Sequence, residues 1–476
     1  MHLLAKAMAS ALLVAASFLP PLSAQNQTDT LSPVFPEDSL PFTLKIEPAH
    51  FTLPVGLQAY ACGIYEKKWI LIAGRTNGMH TFDPVLNNFP PSFQNTMVYV
   101  VDPRLGAVWS RSLTDGSANL SQAEIDSLSV TAPQFCQTRD TLYLVGGYGI
   151  NTTTGEMETK NTLSAIDLKK LLGWVVDGKR HVKKWLRQVA HPLLQVTGGD
   201  LFKDKEHTPF LLMLGQNFAG LYRGNSNGIY TNQIRPFQLH DDGETLSLIP
   251  ETSTLTFPDY RRRDLNIVPI IRPHHRHPQS AYVAFAGVFT LDDGVWTVPI
   301  TILPDGSSFE PDPNSPTTFK QAMNHYNCVN FGLYSAQSKE MYVVFAGGIS
   351  YGFFSEGTFQ TDPEFPFINQ VTTIRIDEHD QYTQYLMEAE YPFIASKGSN
   401  PGNPLLFGAE ALFFPAPHIP KFSNDVIQLD KLNKPIVIGY IVGGIMSTLP
   451  NTNFSTDSAA SPYIFQVKLL PKHCHS

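Results

Sequence analysis

The sequence predicts an all-β fold built from six similar units, and three observations support this. Six segments share one pattern, a short apolar run that ends in Gly or Gly-Gly. Their last glycines, called marker glycines below, lie 61 to 96 residues apart and are Gly74, Gly147, Gly215, Gly287, Gly348 and Gly444. The chain is rich in turn formers, with 33 Gly and 37 Pro, and shows almost no long helical periodicity. An internal repeat of this kind determines the predicted architecture before any single strand or helix is assigned.

Each unit is predicted to contain four antiparallel strands. An apolar segment (strand a) precedes each marker segment (strand b) at hairpin distance, for example 57–65 before 69–74. A polar loop follows, and then a third strand that often begins with Asn, at Asn95, Asn161, Asn232 and Asn369. A fourth strand is visible at 107–113 and 245–251. Six four-stranded units are typical of a six-bladed β-propeller, whereas a sandwich would not repeat one glycine-ended signature six times.

The chain is expected to close on itself. The sixth unit is short, because only one more strand, 461–470, follows its marker glycine. The segment 41–48 can supply the missing fourth strand, so the N- and C-terminal segments would pair within one blade. Such closure leaves no open sheet edge for aggregation. We therefore predict a single propeller over residues 40–470, with a tail at 471–476.

The repeat resembles the Kelch motif. The resemblance rests on Gly-Gly after an apolar strand, an aromatic or Asn-led third strand, and Trp109 in the fourth strand "GAVWSRSL". The chain is similar to secreted bacterial Kelch-type proteins with segments like "GRTNGMH", "RRDLNIVP" and "GAEALFF". It departs from the family pattern in two ways. The units are longer than the roughly 50 residues of a Kelch repeat, and copies three and four lack the second glycine.

The N-terminus and the charge balance bear on location and partners. Residues 1–24 are typical of an export signal, with Lys6, an apolar stretch and small residues ending at Ala24. Residues 25–39 are expected to be a disordered leader. No later window is apolar enough to span a membrane. We expect a secreted or periplasmic monomer. The net charge of −8 makes nucleic acid an unlikely partner.

Cysteines and histidines suggest no metal or cofactor. Cys62 and Cys136 occupy corresponding places in neighbouring units, and either a disulfide or two buried free thiols would fit the spacing. Cys328 and Cys474 complete the set. The loop with His274, His275 and His277 lacks carboxylate or thiolate partners at ligand spacing. The tail His473-Cys474-His475 is treated as an exposed terminus, and neither segment is predicted to be a metal site.

Strand direction predicts where a ligand would bind. The loops from strand b to strand c, and from strand d to the next strand a, should gather on one face, here called the upper face. Long loops over a rigid scaffold are common binding surfaces. The candidate ligand-binding residues on that face are Arg75, His80, Gln216, Arg263, Asp264, Asn266 and Asn327. Glu410 and His325 are the candidate acid–base residues. An arginine among amides and aromatic rings could bind a carboxylated or hydroxylated ligand through paired hydrogen bonds.

Two functions remain open from the sequence. The first is a non-enzymatic platform that binds a glycan or an extracellular protein through the upper loops. The second, implied by the resemblance to exported Kelch propellers that act on sialic acid, is a sugar-acid mutarotase or isomerase. There, Arg263 would hold a carboxylate and Glu410 or His325 would move a proton. The enzyme requires an acid or base in an enclosed pocket, and the platform requires only an exposed surface. The chain lacks the motifs of common hydrolases and phosphate-binding enzymes.

Overall fold

The chain folds as an all-β propeller. The computed structural model describes residues 31–472 except 84, 180, 224–227, 274–277, 286, 288, 292–293, 453 and 455. Within these residues, six large sheets, four short two-stranded sheets and two α-helices are present. No described helix has the length and apolar character needed to cross a membrane. The predicted export signal, the His-rich loop and the tail from residue 473 lie outside the described residues.

Five of the large sheets have four antiparallel strands each, as expected for a propeller blade. Numbered along the chain, sheet 1 contains Ala61–Tyr65, Lys68–Ile72, Met97–Asp102 and Ala107–Ser112. Sheet 2 contains Gln134–Thr138, Thr141–Val145, Thr162–Asp167 and Leu186–Ala190. Sheet 3 contains Asp200–Phe202, Phe210–Met213, Ile234–Asp241 and Leu246–Pro250. Sheet 4 contains Asn266–Arg272, Gln279–Phe285, Ile300–Ile302 and Ser308–Phe309. Sheet 6 contains Ala411–Pro415, Ile436–Gly443, Ile464–Pro471 and Phe42–Pro48.

Sheet 5 differs because it has six strands. Its central four are Val329–Ser335, Glu340–Ile349, Phe367–Ile376 and Tyr382–Glu390. Val34–Pro36 adds to the outer edge and Ile427–Gln428 to the inner edge, both in parallel pairing. The four-stranded blade that was expected six times is therefore seen in this form five times.

The expected closure is confirmed. Phe42–Pro48 pairs antiparallel with Ile464–Pro471 over seven residues, with Phe42 opposite Pro471 and Pro48 opposite Phe465. The C-terminal strand thus includes Pro471, which was assigned to the tail. The amide of Lys472 also donates to the carbonyl of Pro41. The chain ends hold sheet 6 together and complete the ring.

The remaining elements are short. The α-helices are Gln122–Leu128, which begins with a capping box at Ser121, and Leu168–Asp177, which is capped by the Asp167 side chain accepting the amide of Lys170. The two-stranded sheets are Tyr148–Asn151 with Glu156–Thr159, Gln216–Asn217 with Ile229–Tyr230, Gly352–Ser355 with Thr358–Thr361, and Ile445–Ser447 with Ser458–Ala460. The 3-10 turns are Glu37–Ser39, Pro91–Phe93, Val182–Lys184, Pro192–Leu194, Pro258–Tyr260 and Leu429–Lys431.

The disordered leader expected over 25–39 is wrong for its last residues. Val34–Pro36 pairs with Tyr382–Glu390, and Glu37 is buried. The Glu37 carboxylate accepts the amide of Glu388 and lies 3.7 Å from the Lys472 ammonium. The Ser/Pro-rich composition indicated disorder, but the edge of sheet 5 offers unpaired backbone groups that this short segment satisfies.

The hydrophobic core is divided into layers between neighbouring sheets. Six of the buried apolar clusters each join two adjacent sheets, from sheets 1 and 2 round to sheets 6 and 1. Trp69, for example, packs from sheet 1 against Phe414 and Tyr440 of sheet 6. Every sheet therefore buries both faces, as a closed ring of sheets requires.

The layers also show whether Cys62 and Cys136 form a disulfide or remain free thiols. Cys62, Cys136 and Cys328 are free thiols. Cys62 packs into the layer between sheets 6 and 1, whereas Cys136 packs into the layer between sheets 2 and 3. Corresponding positions point the same way around the ring, so the two side chains cannot face each other. The disulfide alternative is wrong, and burial raises the pKa of both thiols to about 12.

The marker glycines join each sheet to the next one near the axis. Five of them donate their amide hydrogen to a carbonyl that precedes strand a of the following sheet; these pairs are Gly74 to Val130, Gly147 to Val196, Gly215 to Arg262, Gly348 to Phe407 and Gly444 to Leu57. The distances are 2.7 to 2.9 Å. All six marker glycines have φ between 77° and 110°, which a residue without Cβ adopts at little cost.

A Gly444→Ala variant is expected to be strongly destabilised. An added Cβ would lie 2.4 Å from the carbonyl oxygen of Ala409, and φ is +84°. Backbone strain and overpacking together should lower the free energy of unfolding by about 2 to 4 kcal/mol.

Urea denaturation would measure this loss. Gly116→Ala is the matched control, because a Cβ there meets nothing within 4 Å; its effect should stay within about 0.5 kcal/mol. Equal stability of the two variants would contradict the role assigned to the marker glycines.

Candidate functional site

A second set of axial residues forms a ring just below the upper face. One residue from each unit, placed one or two positions before strand a, has a left-handed backbone: Ala59, Ala132, Gly198, Asp264, Asn327 and Glu410, with φ between 44° and 66°. Amide-to-carbonyl hydrogen bonds connect five of the six neighbouring pairs in this set, for example Asp264 to Gly198 at 2.9 Å and Glu410 to Asn327 at 2.8 Å. We call this set the axial ring. Half of it is Ala or Gly, and the other half carries polar side chains.

Four members of the axial ring, Ala132, Asp264, Asn327 and Glu410, form the floor of a cavity of about 380 Å³ that opens on the upper face. The next layer of the wall comes from the residue before each ring position, and these residues are Gln58, Thr131, Thr197, Arg263, Tyr326 and Ala409. A further layer comes from the residue after the marker glycine, and the described members are Arg75, Tyr148, Gln216, Ile349 and Ile445. Residues that follow strand b and residues that precede strand a therefore line one cavity together.

Backbone pairing explains why these two layers meet. The residue before the ring pairs with the residue after the marker glycine as an antiparallel bridge in four units, namely Gln58 with Arg75, Thr131 with Tyr148, Thr197 with Gln216, and Tyr326 with Ile349. Each unit thus presents two side chains at fixed positions around the axis. The chemistry of the cavity is set by which residues occupy these positions.

Arg75 is a buried cation in the cavity wall. Its side chain is 1% exposed. Its Nε donates to Asn77 Oδ1 at 3.0 Å and Nη2 donates to the carbonyl of Pro90 at 3.1 Å. Nη1 is buried and has no hydrogen-bond partner. Burial lowers the pKa of Arg75 to about 10, so the group stays charged at neutral pH.

Arg263 is the second buried cation, and it is enclosed differently. Its Nε lies 3.5 Å from Asp264 Oδ2. The guanidinium lies 5.4 to 5.9 Å from the ring centres of Tyr222, Tyr230 and Phe289. Despite burial, Asp264 and these tyrosines raise the pKa of Arg263 above its ordinary value. A carboxylate and three aromatic faces therefore balance its charge.

Glu410 is a candidate proton donor on the cavity floor. Asn327 Nδ2 donates to Glu410 Oε1. Burial, and then the nearby Asp264 carboxylate, raise the pKa of Glu410 to about 8. Burial also raises the pKa of Asp264, although Arg263 opposes this. Two carboxyl groups that influence each other in one site are a common acid–base arrangement.

His80 lies in an aromatic wall of the cavity. Its ring centre is 4.6 to 4.9 Å from those of Phe82, Phe89 and Tyr222. Its Nδ1 is 2.9 Å from the carbonyl of Thr81, which assigns the proton to Nδ1 in the neutral ring. Burial, followed by the charges of Arg263 and Arg75, lowers the pKa of His80 to about 4. His80 is therefore neutral at pH 7, and its Nε2 can accept a hydrogen bond.

The structure thus brings together seven of the predicted residues: Arg75, His80, Gln216, Arg263, Asp264, Asn327 and Glu410 all line the cavity. Asn266 does not line it. It lies below the axial ring, where its Oδ1 accepts the amide of Cys328 at 3.0 Å and its Nδ2 donates to the carbonyl of His325. This placement makes Asn266 a link between sheets 4 and 5.

His325 is also outside the cavity, so its assignment as an acid or base is wrong. The side chain is 0% exposed. It stacks on Phe345, and Nδ1 lies 2.8 Å from the carbonyl of Gly347. Burial lowers the pKa of His325 to about 4. A polar residue at the start of strand a was expected to face the axis, but His325 lies two positions before the axial ring and points into the sheet.

Several wall residues were missed from the sequence. Tyr148 was detectable, because it directly follows a marker glycine as Arg75 and Gln216 do. Phe89 and Tyr222 had no comparable signal, since they lie in loops of irregular length after strand b. Their positions depend on contacts between loops, for example the stacking of Phe89 edge-on against Tyr148 and Tyr222.

A lower cavity of about 370 Å³ lies on the other side of the axial ring. The two cavities share Ala132, Asp264, Asn327 and Glu410, so the ring is their common boundary. Ile427–Gln428 pairs with strand a of sheet 5, and Asn424 Nδ2 donates to the carbonyl of Ile270 in sheet 4. This segment therefore lies across the lower side of the axis.

Among the described residues, no group of three or more His, Cys, Asp and Glu side chains has the arrangement of a metal site. The His274–His277 loop and the tail are not among these residues. The described lining combines charged, amide, hydroxyl, aromatic and aliphatic side chains, a mixture that suits an organic ligand.

The fold and the cavity define the class of protein as a β-propeller with an axial ligand-sized pocket. No protein-family model and no curated protein sequence match the chain. A solved structure titled "Structure of YjhT" is similar, with a TM-score of 0.45 and 10% sequence identity. The match covers 88% of this chain and 98% of that chain. At this identity the similarity says nothing about the ligand.

A Glu410→Gln variant is expected to change how stability depends on pH. The folded-state pKa of Glu410 is raised from about 4.5 to about 8. Between these values the folded chain binds more protons at Glu410 than the unfolded chain does, so the wild-type protein loses stability as pH rises through this window.

Glutamine keeps an oxygen for Asn327 but does not ionise. The variant should therefore be more stable than wild type at pH 8.5 by at least about 1.4 kcal/mol, the equivalent of one pKa unit. At pH 4.5 this advantage should disappear. Urea denaturation at both pH values would measure it, and an equal difference at both would contradict the burial of an ionisable Glu410.

Proposed function

We propose that this protein is an exported six-bladed propeller of the Kelch type that binds a hydroxylated carboxylic acid, such as a sugar acid, in its axial cavity. One observation carries the proposal: two buried arginines line the cavity, and Nη1 of one of them, Arg75, is buried without a hydrogen-bond partner. Leaving such a group unpaired is costly, and a ligand carboxylate would satisfy it.

The repeat geometry supports six blades. The axial ring has six members, and six apolar layers join neighbouring sheets. Sheet 5 then counts as a blade with two added edge strands. We propose membership of the Kelch type from the glycine pattern. We propose export from the signal-like sequence of residues 1–24.

The rest of the wall suits a sugar-like ligand. Gln58, Gln216 and Asn327 supply amides, and Thr131 and Thr197 supply hydroxyls. Phe89, Tyr148 and Tyr222 offer aromatic faces for apolar C–H groups. A cavity of this kind, mostly apolar with a few convergent polar groups, favours a small ligand over a flat protein surface.

The test is a binding screen by isothermal titration calorimetry against sugar acids, including D-glucuronate and N-acetylneuraminate. The sample would be the exported form, whose mass should correspond to a chain that begins at Gln25. We expect binding in wild type and at least a tenfold loss in the double variant Arg75→Gln with Arg263→Gln, because charged hydrogen bonds contribute about 1.5 to 3 kcal/mol.

The matched control is Arg235→Gln. Arg235 is another largely buried arginine, whose Nη1 donates to the carbonyl of Leu193 outside the cavity. Its affinity should equal that of wild type. The absence of binding to every sugar acid, or equal binding by the folded double variant, would contradict the proposal.

A second candidate function is a sugar-acid mutarotase or isomerase. The observation that favours it is the pair of carboxyl groups on the cavity floor, with Glu410 protonated at neutral pH. Glu410 would donate a proton to the sugar ring oxygen while the Asp264 carboxylate accepts the proton of the anomeric hydroxyl. The ring carbon–oxygen bond breaks, a carbonyl forms, and the reverse steps close the ring in either configuration.

Proton NMR would test this by following the approach of freshly dissolved N-acetylneuraminate to anomeric equilibrium. We expect wild type to accelerate the approach, and Glu410→Gln to lower that acceleration by about 100-fold or more while binding persists. Arg235→Gln again serves as the control. Binding without any acceleration by wild type would leave the non-enzymatic function as the correct one.

A further inference from the structure

The two arginines of the cavity are not equivalent, and their difference bears on which ligands fit. We propose that Arg75 is the carboxylate anchor, and that the cavity selects ligands with one negative charge over ligands with two, such as sugar phosphates. This inference rests on the proposed function and specifies its ligand class.

Arg263 is already neutralised. Its Nε is paired with Asp264 Oδ2 at 3.5 Å, its Nη2 is 3.5 Å from the Tyr222 hydroxyl, and three aromatic rings surround it. A ligand carboxylate that approached Arg263 would also approach the Asp264 carboxylate. The attraction and the repulsion would largely cancel.

Arg75 has one aromatic neighbour, Phe89, with the ring centre 5.2 Å from its guanidinium, but no carboxylate partner in the described part of the chain. Among the described residues, no Asp or Glu oxygen lies within 4 Å of its guanidinium. Its acceptors are neutral, the side chain of Asn77 and the carbonyl of Pro90. Nη1 remains without a partner, in a residue that lines the cavity. The full positive charge of Arg75 is therefore available to a ligand.

The other titratable groups in the described wall add little positive charge. His80 is neutral at pH 7, since its pKa is about 4, and Glu410 is largely protonated, since its pKa is about 8. Glu364 lies exposed at the rim and contributes a negative charge there. The enclosed part of the cavity thus has one uncompensated positive charge. A second negative charge on the ligand would be buried without a counter-ion, which is strongly unfavourable.

The experiment measures binding affinity by calorimetry at pH 7 while varying the charge of the ligand and the charge beside Arg75. The ligands are D-glucuronate, glucose 6-phosphate and glucose. The first variant is Asn77→Asp, which keeps the acceptor for Arg75 Nε but places a carboxylate beside it. The control is Asn87→Asp in the same loop. Asn87 Oδ1 accepts the amide of Phe89 at 3.0 Å, a bond that Asp preserves, so this control adds the same charge at a side chain that accepts from Phe89 rather than from Arg75.

We expect wild type to bind D-glucuronate at least tenfold more tightly than glucose 6-phosphate or glucose. Asn77→Asp should weaken D-glucuronate binding at least tenfold, and Asn87→Asp should change it less than threefold. Circular dichroism and the thermal midpoint would verify the fold. The comparison of ligands in wild type needs no variant, so it tests charge selection even if Asn77→Asp does not fold.

Three results would overturn the inference while the proposed function stands. The first is D-glucuronate binding that Asn77→Asp leaves unchanged. The second is tighter binding of glucose 6-phosphate than of D-glucuronate. The third is equal weakening by Asn77→Asp and Asn87→Asp, which would indicate a general charge effect. A failure of all sugar acids to bind wild type would instead overturn the proposed function, and the inference with it.

Discussion

The structure depends on one joint that is repeated around the axis. Strand b of each sheet ends at a marker glycine with a left-handed backbone, and in five of the units the structure shows the glycine amide donating to the next sheet. The same turn directs the following residue toward the axis. Packing between sheets is non-directional and can tolerate small shifts, but this hydrogen bond fixes the height and angle of each sheet. The joint therefore sets the geometry of the cavity wall.

The axial ring shows how a repeated backbone can hold a chemically asymmetric site. Five of its members are not glycine yet have positive φ, a conformation that costs about 1 to 3 kcal/mol per residue. The hydrogen bonds between ring members help to hold this strain. Ala59, Ala132 and Gly198 leave space on one side of the axis, whereas Asp264, Asn327 and Glu410 place polar groups on the other. The backbone is nearly symmetric, and only the side chains make the two sides chemically different.

Most of the fold was predictable because it follows from local patterns. The marker glycines located strand b, and apolar segments at hairpin distance located strand a in all six sheets. The site was only partly predictable. Arg75 and Gln216 were predicted correctly because they follow marker glycines. His325 and Asn266 were wrongly assigned to the cavity, because each lies only one or two residues from a position that faces it. Since a side chain changes face with each residue of a strand, an error of one or two residues is enough to place a side chain on the wrong side. The axial-ring positions also had no sequence signature of their own.

Because they are buried, the two arginines of the cavity need a charged or hydrogen-bonding partner more than its neutral polar residues do. A guanidinium removed from water loses hydration that only a counter-ion or several acceptors can replace. Arg263 receives both a carboxylate and aromatic faces, whereas Arg75 receives two neutral acceptors and one aromatic face, that of Phe89 at 5.2 Å. A chain that needed only stability would be better served by an apolar side chain at position 75, or by a carboxylate beside it. The uncompensated charge of Arg75 is therefore the feature of the cavity on which the proposed binding of an anionic ligand depends.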